Sequence, residues 1–155
     1  MLTDFVKSEV KTLVLFDMDG VLAEYKWGEN EAIQKGDTEV YRKKRPITSV
    51  IEVARTLYMD GVDVGVLSSC ETEGQRIAKL EWLHEYLPFL KDNLHIVVWE
   101  KLGLSGHDRD FAKAHVIEGI VGYEEIYLIE DKHKVIKATN SIIENCAHHV
   151  SEVLK

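Results

Sequence analysis

The sequence predicts an α/β fold: a three-layer, Rossmann-like parallel sheet flanked by helices. Three observations predict it. Short apolar runs alternate along the chain with longer stretches whose apolar residues recur at helical spacing. Polar and acidic residues follow the apolar runs directly, as they do where strands end at a binding edge. The chain has 155 residues, 45% of them hydrophobic, and only two prolines, Pro46 and Pro88. That length and balance suit one compact domain with no linker, repeat or low-complexity tract.

The elements follow in order. Residues 12–16 are a short apolar run ahead of Asp17-Met18-Asp19-Gly20 and read as a buried strand. Pro46 opens a helix to about Met59, with Ile47, Val50, Ile51, Ala54 and Leu57 on one face and Asp60-Gly61 ending it. Residues 62–67 form the second strand. Thr72 with Gln75 suggests a capping box. Ile77, Leu80, Leu83 and Leu87 then mark the apolar face of a helix that Pro88 stops. Residues 94–99 are the third strand, 110–118 a short helix, 125–129 the fourth strand and 133–145 a helix. Residues 147–150 read as an edge strand. Strands separated by helices imply right-handed crossovers and a parallel sheet covered on both faces.

Composition excludes several functions. The formal net charge of -8 argues against a general nucleic-acid binder or a polybasic membrane anchor. No apolar run is long enough to span a membrane, and the N-terminus carries nothing like a targeting or secretory segment. Two cysteines, Cys70 and Cys146, make no disulfide framework, so the expected compartment is the reducing cytoplasm.

In a parallel sheet, ligands bind at the carboxyl ends of the strands. Strand one ends at Asp17 and Asp19, strand two at Ser68 and Ser69, strand four at Glu130 and Asp131. Four carboxylates and two hydroxyls should meet at one mouth. Carboxylates packed that closely repel one another. A divalent cation relieves this, and oxygen ligands favour Mg²⁺. Mg²⁺ beside hydroxyls, backbone N–H groups and a lysine makes a phosphate site.

These residues resemble the haloacid dehalogenase (HAD) superfamily of phosphohydrolases. The likeness rests on Asp-x-Asp-Gly after a buried strand (Asp17 to Gly20), a serine closing the next core strand (Ser68) and an acidic pair after a later strand (Glu130-Asp131). It implies a HAD-like core spanning the chain, and a Mg²⁺-dependent phosphomonoester hydrolase working through an aspartyl-phosphate. Asp17 would be the nucleophile and Asp19 the acid and base. Asp17, the Asp19 backbone carbonyl and Asp131 would ligate the metal, with Glu130 acting through water or from behind. Ser68, and Ser69 as a second donor, would bind phosphate. The superfamily's lysine is ambiguous: Lys79 and Lys113 are both candidates, and Lys101 is a third.

"DMDGVLAEY", "KKRPITSVIEVARTL" and "KLEWLHEYLP" look like the 5'(3')-deoxyribonucleotidases of that superfamily, which implies a small phosphorylated substrate such as a nucleoside monophosphate. Those enzymes carry a helical cap after the first motif. Here residues 23–45 allow only a short flap, so little or no cap domain is expected. The resulting open site could admit a bulky substrate or be covered by a second subunit in a homo-oligomer. Tyr25 and Trp27 are candidates for substrate contact, although a structural role is the commoner one. The basic run 42–45 reads as a solvated face that could steer phosphate.

Other readings compete. Asp-x-Asp-Gly is also a turn sequence. Trp82 and Tyr86 suit a core, and Cys70 has no base at readable distance. The main rival in function is a non-catalytic phospho-acceptor or binding domain, like a two-component receiver. Receivers phosphorylate an Asp at the end of strand three, where this chain has Val97, Val98, Trp99 and Glu100.

Overall fold

The computed structural model describes residues 10–154. The expectation about an N-terminal targeting segment lies outside them. Five parallel strands form the sheet: β1 (Thr12–Phe16), β2 (Asp63–Cys70), β3 (Leu94–Val98), β4 (Glu125–Glu130) and β5 (Ala147–His149). Their order is β3-β2-β1-β4-β5. The chain moves outward from β1 to β3, then returns to lay β4 on the other side of β1. Strand order therefore reverses between β1 and β4, and a crevice opens at their carboxyl ends.

Seven α-helices accompany the described strands: α1 (Asn30–Gln34), α2 (Glu39–Arg42), α3 (Thr48–Met59), α4 (Glu73–Tyr86), α5 (Trp99–Leu102), α6 (Ala112–Glu118) and α7 (His133–Ile142). The alternation of β1 builds both faces of the core. Val14 and Phe16 join Val50, Ala54 and Leu57 of α3 and Ala78, Trp82 and Leu83 of α4. Leu13 and Leu15 join Ala112 and Ile117 of α6, with Ile136 of α7 against them. All five β1 residues are buried, as a central strand covered on both faces requires. No helix among the described residues is long and apolar enough to cross a membrane.

Several boundaries differ from the sequence reading, each for a local reason. Pro46 does not open α3. It bridges to Ala23, and the Ile47 N–H donates to Leu22 O at 2.7 Å, so this stretch is extended and the helix begins at Thr48. β2 runs on through Ser68 and Ser69 to Cys70, because β3 pairs with it that far (Cys70 opposite Val98). Trp99 leaves the sheet and starts α5. α7 stops at Ile142, with Asn145 taking a left-handed φ of 59° in the turn into β5.

The apolar face assigned to α4 is also corrected. Ile77 is exposed, while Gln75, Ala78, Lys79, Trp82 and Leu83 point inward. Two polar residues on the buried face displaced the apolar stripe. The expected capping box is present: Thr72 accepts from the Gln75 N–H at 3.2 Å, and the Gln75 side chain accepts from the Thr72 N–H at 3.2 Å.

Candidate active site

β1 delivers Asp17 into the crevice. Its N–H donates to Ile129 O at 2.9 Å, which continues the β1–β4 ladder one residue past the strand. The chain then turns back, with Leu22 and Ala23 both donating to Met18 O at 2.9 and 2.8 Å. Gly20 closes the turn at φ 81°, a conformation that disfavours side chains. A Cβ there would also collide with the Asp131 carboxylate. Gly20 thus lets the β1 loop lie against Asp131, which follows β4.

Two groups of side chains meet here. The first holds Asp17, Glu130, Asp131 and Lys113. Glu130 is fully buried; one oxygen accepts from Lys113 Nζ at 2.6 Å and the other from the Asp131 N–H at 3.0 Å. Lys113 Nζ also lies 3.1 Å from Asp17 Oδ1. Asp17, Glu130 and Asp131 each offer an oxygen within 4.8 Å of the others. Three carboxylates thus face one buried ammonium, with the exposed Lys132 acting on Asp131 from outside. Burial, then Glu130, push Asp17 up to about 7 against the pull of Lys113. Burial and Asp17 raise Asp131 as well, and its Oδ1 is buried without a hydrogen-bond partner. An excess of crowded carboxylates with an orphaned oxygen is a donor set that suits a divalent cation.

The second group surrounds Asp19. Lys79 Nζ donates to Asp19 Oδ2 at 2.7 Å, to Ser68 Oγ at 2.8 Å and to Ser69 O at 2.6 Å. Lys44 Nζ lies 3.4 Å from Asp19 Oδ1 and 2.5 Å from Glu29 Oε1. Burial opposes ionisation of Asp19, but Lys79 and Lys44 outweigh it and hold the carboxyl below its ordinary value. Two carboxylates, Asp19 and Glu29, meet two ammoniums, so this group is balanced without any ion.

The two lysines that the sequence left open therefore both reach the site, from opposite sides. Lys113 serves Asp17 and Lys79 serves Asp19. Lys101 does not reach it: on the surface, it pairs with Glu73 at 2.8 Å. Ser68 is fully buried behind the site against Lys79, whereas Ser69 lines the cavity. The basic run is only partly a solvated face: Lys43 and Arg45 are exposed, but Lys44 is buried and its backbone carbonyl accepts from Trp82 Nε1 at 2.9 Å. Trp82 belongs to the core as expected, and Trp27 stands 96% exposed, apart from the cavity lining. Lys44, Glu29 and Arg109 were not singled out from the sequence. No local pattern marks them, since their roles come from contacts many residues away.

The cavity has a volume of about 330 Å³. Its floor includes Asp17, Asp19, Lys113 and Asp131, and one wall comes from Tyr25, Glu29, Asn30 and Ile33. That wall is docked onto α4. The Gln75 side chain donates to Ile33 O at 2.8 Å and Asp37 O at 3.1 Å, and Arg42 Nε donates to Glu81 at 2.9 Å. Opposite, the Arg109 guanidinium lies 4.9 Å above the Trp99 ring and donates to Glu71 at 3.0 Å. Cys70 also lines the cavity, but burial pushes its thiol up to about 11, so it is no nucleophile at neutral pH.

No family model matches this chain, and no curated protein matches it. Among solved structures, a chain of the Pnkp1/Rnl/Hen1 RNA repair complex has a TM-score of 0.67 at 18% identity, over 92% of this chain and 43% of that one. A chain from another structure of the Pnkp1/Rnl/Hen1 complex has a TM-score of 0.64 at 18% identity, over 92% of this chain and 46% of that one. The likeness is one of fold. This chain spans less than half the length of the solved chains it matches.

Proposed function

We propose that the protein is a HAD-like, Mg²⁺-dependent phosphomonoester hydrolase that works through an aspartyl-phosphate on Asp17. The observation that carries this reading is the meeting of Asp17 with Asp131 and Glu130, oxygens within 4.8 Å of one another, beside the Lys113 ammonium at 3.1 Å. Asp17 and Asp131 would hold the ion, with Glu130 behind them fixing Lys113. When bound, Mg²⁺ would neutralise the crowded carboxylates and draw charge from phosphoryl oxygens. Asp17 attacks phosphorus and displaces the alkoxide or phenolate. Lys113 offsets the charge on Asp17 and on the incoming phosphoryl group. Ser69, which lines the cavity, orients it. Asp19, kept ionised by its two lysines, accepts a proton from the water that cleaves the intermediate. The same ionisation makes Asp19 a poor donor to a leaving oxygen, so esters of acidic alcohols should turn over fastest.

The substrate class is a small phosphate ester, with nucleoside monophosphates among its members. The fold likeness to a chain of an RNA repair complex adds RNA bearing a terminal phosphate to those worth assaying, although the net charge of -8 does not favour it. Two free, buried cysteines suit the cytoplasm. A second reading draws on the Asp19 clamp: Lys79 and Lys44 occupy the Asp19 carboxylate, and if they keep it from taking a proton from water, a phosphoryl group on Asp17 persists and the site is an acceptor. One experiment separates them. Purified protein is incubated with p-nitrophenyl phosphate, with and without Mg²⁺, alongside Asp17→Asn. Multiple turnovers that need both Mg²⁺ and Asp17 support the hydrolase. A single stoichiometric burst supports the acceptor, and no phosphate release removes the hydrolase.

A further inference from the structure

The docked wall carries an oxygen that the proposed chemistry does not use. Glu29 is buried and lines the cavity. Its Oε1 is held by Lys44 Nζ at 2.5 Å, but its Oε2 is buried with no hydrogen-bond partner. Leaving such an acceptor unmatched is costly. Lys44 bridges Glu29 to Asp19, at 2.5 and 3.4 Å. That places Glu29 beside Asp19 in the cavity lining.

We infer that Glu29 is a subsite for a hydroxyl group carried by the leaving group of the ligand, an inference that rests on the phosphatase reading for the direction from which the ester enters. Charge selects the donor. Glu29 is already balanced by a buried ammonium, so a second cation would meet Lys44 and be repelled, whereas a neutral hydroxyl can donate to Oε2 without disturbing the pair. The chain around the acceptor is also held in place before any ligand arrives. Trp82 holds the Lys44 backbone at 2.9 Å, and Gln75 holds Ile33 and Asp37 at 2.8 and 3.1 Å. Little ordering is left for binding to do. The ligand class is a phosphate monoester of a polyol or sugar, a sugar hydroxyl of a nucleotide included.

The test is calorimetric binding to Asp17→Asn, which stops turnover, in Mg²⁺. Glycerol 3-phosphate is compared with n-propyl phosphate, the same three-carbon ester without its hydroxyls. Glycerol 3-phosphate should bind roughly ten- to a hundredfold tighter, the range for one hydrogen bond to a charged acceptor. In Glu29→Leu/Lys44→Met on the same background, which removes both charges together, that preference should vanish. Should the double variant not fold, Glu29→Gln should narrow the preference several-fold. Equal affinities, no binding of either ester, or a preference that survives the substitutions overturns the subsite and leaves Oε2 to an ordered water. Turnover of p-nitrophenyl phosphate by the wild type is read separately. A hydroxyl preference without turnover keeps the subsite and removes the phosphatase; turnover with equal affinities does the reverse.

Discussion

Asp17 and Asp19 stand two residues apart at the end of one strand, are both largely buried, and are driven in opposite directions. Asp17 shares its surroundings with Glu130 and Asp131 against one ammonium, and is raised to about 7. Asp19 faces Lys79 and Lys44, with Glu29 completing a balanced set, and is lowered. Burial raises both, so the partners decide the sign. One half of the site holds more buried carboxylates than buried ammoniums; the other is balanced in charge as it stands. In the proposed hydrolase, nucleophile and proton acceptor would thus be separated by environment rather than by residue type.

The largest expected effect is on Asp17 itself. Asp17→Asn should lower phosphate release roughly 10⁴-fold or more, as removal of a nucleophile does, in a continuous phosphate-release assay. Residual turnover near the wild-type level would end its role as nucleophile.

Next comes the loss of each lysine. Lys113→Met and Lys79→Met each break a buried ion pair, at a cost of about 3–5 kcal/mol in chemical denaturation. The halves should then part company. Mg²⁺ should recover part of the Lys113→Met loss, because the ion can replace the missing charge on Asp17 and Glu130. It should leave the Lys79→Met loss unchanged. Equal recovery in both would erase the distinction between the halves.

The third prediction concerns pH. Asp17 ordinarily titrates near 3.8 and is raised to about 7 in the fold. Between those values the folded protein binds more protons than the unfolded chain, so its stability falls as pH rises through that window. Thermal midpoints without divalent ion should therefore decline from about pH 4 to about pH 7. Mg²⁺ should flatten the decline by taking the place of the proton. Asp19, shifted the other way, contributes stability that is present at neutral pH and lost in acid. A profile without Mg²⁺ that rises toward pH 7 would contradict the crowding argument.

The smallest effect is expected at Lys101, whose pair with Glu73 is exposed and screened by solvent. Lys101→Ala should leave turnover and its Mg²⁺ dependence intact. A large loss of activity would put a third lysine in the site.

The balance of the two halves also explains what could be read in advance. Asp17, Asp19, Glu130 and Asp131 were legible because each closes or follows a buried apolar strand, and a parallel sheet gathers such residues at one edge. The inward face of α4 was not. Hydrophobic periodicity selected Ile77, which is exposed, while Gln75 and Lys79 took the buried positions to hold the cavity wall and Asp19. Lys44 hid within a basic run for the same reason. Periodicity reports where apolar side chains recur, and it fails where buried charge is balanced by partners distant in sequence. Lys79 lies 60 residues from the Asp19 it contacts, and Lys44 lies 15 from Glu29.

The most direct test of the account is calorimetric titration of the wild type and Asp131→Asn with Mg²⁺. The wild type should bind one ion per chain, and the variant, having lost a charged oxygen ligand, should bind at least tenfold more weakly. No saturable binding to the wild type, or equal binding to both proteins, would contradict it.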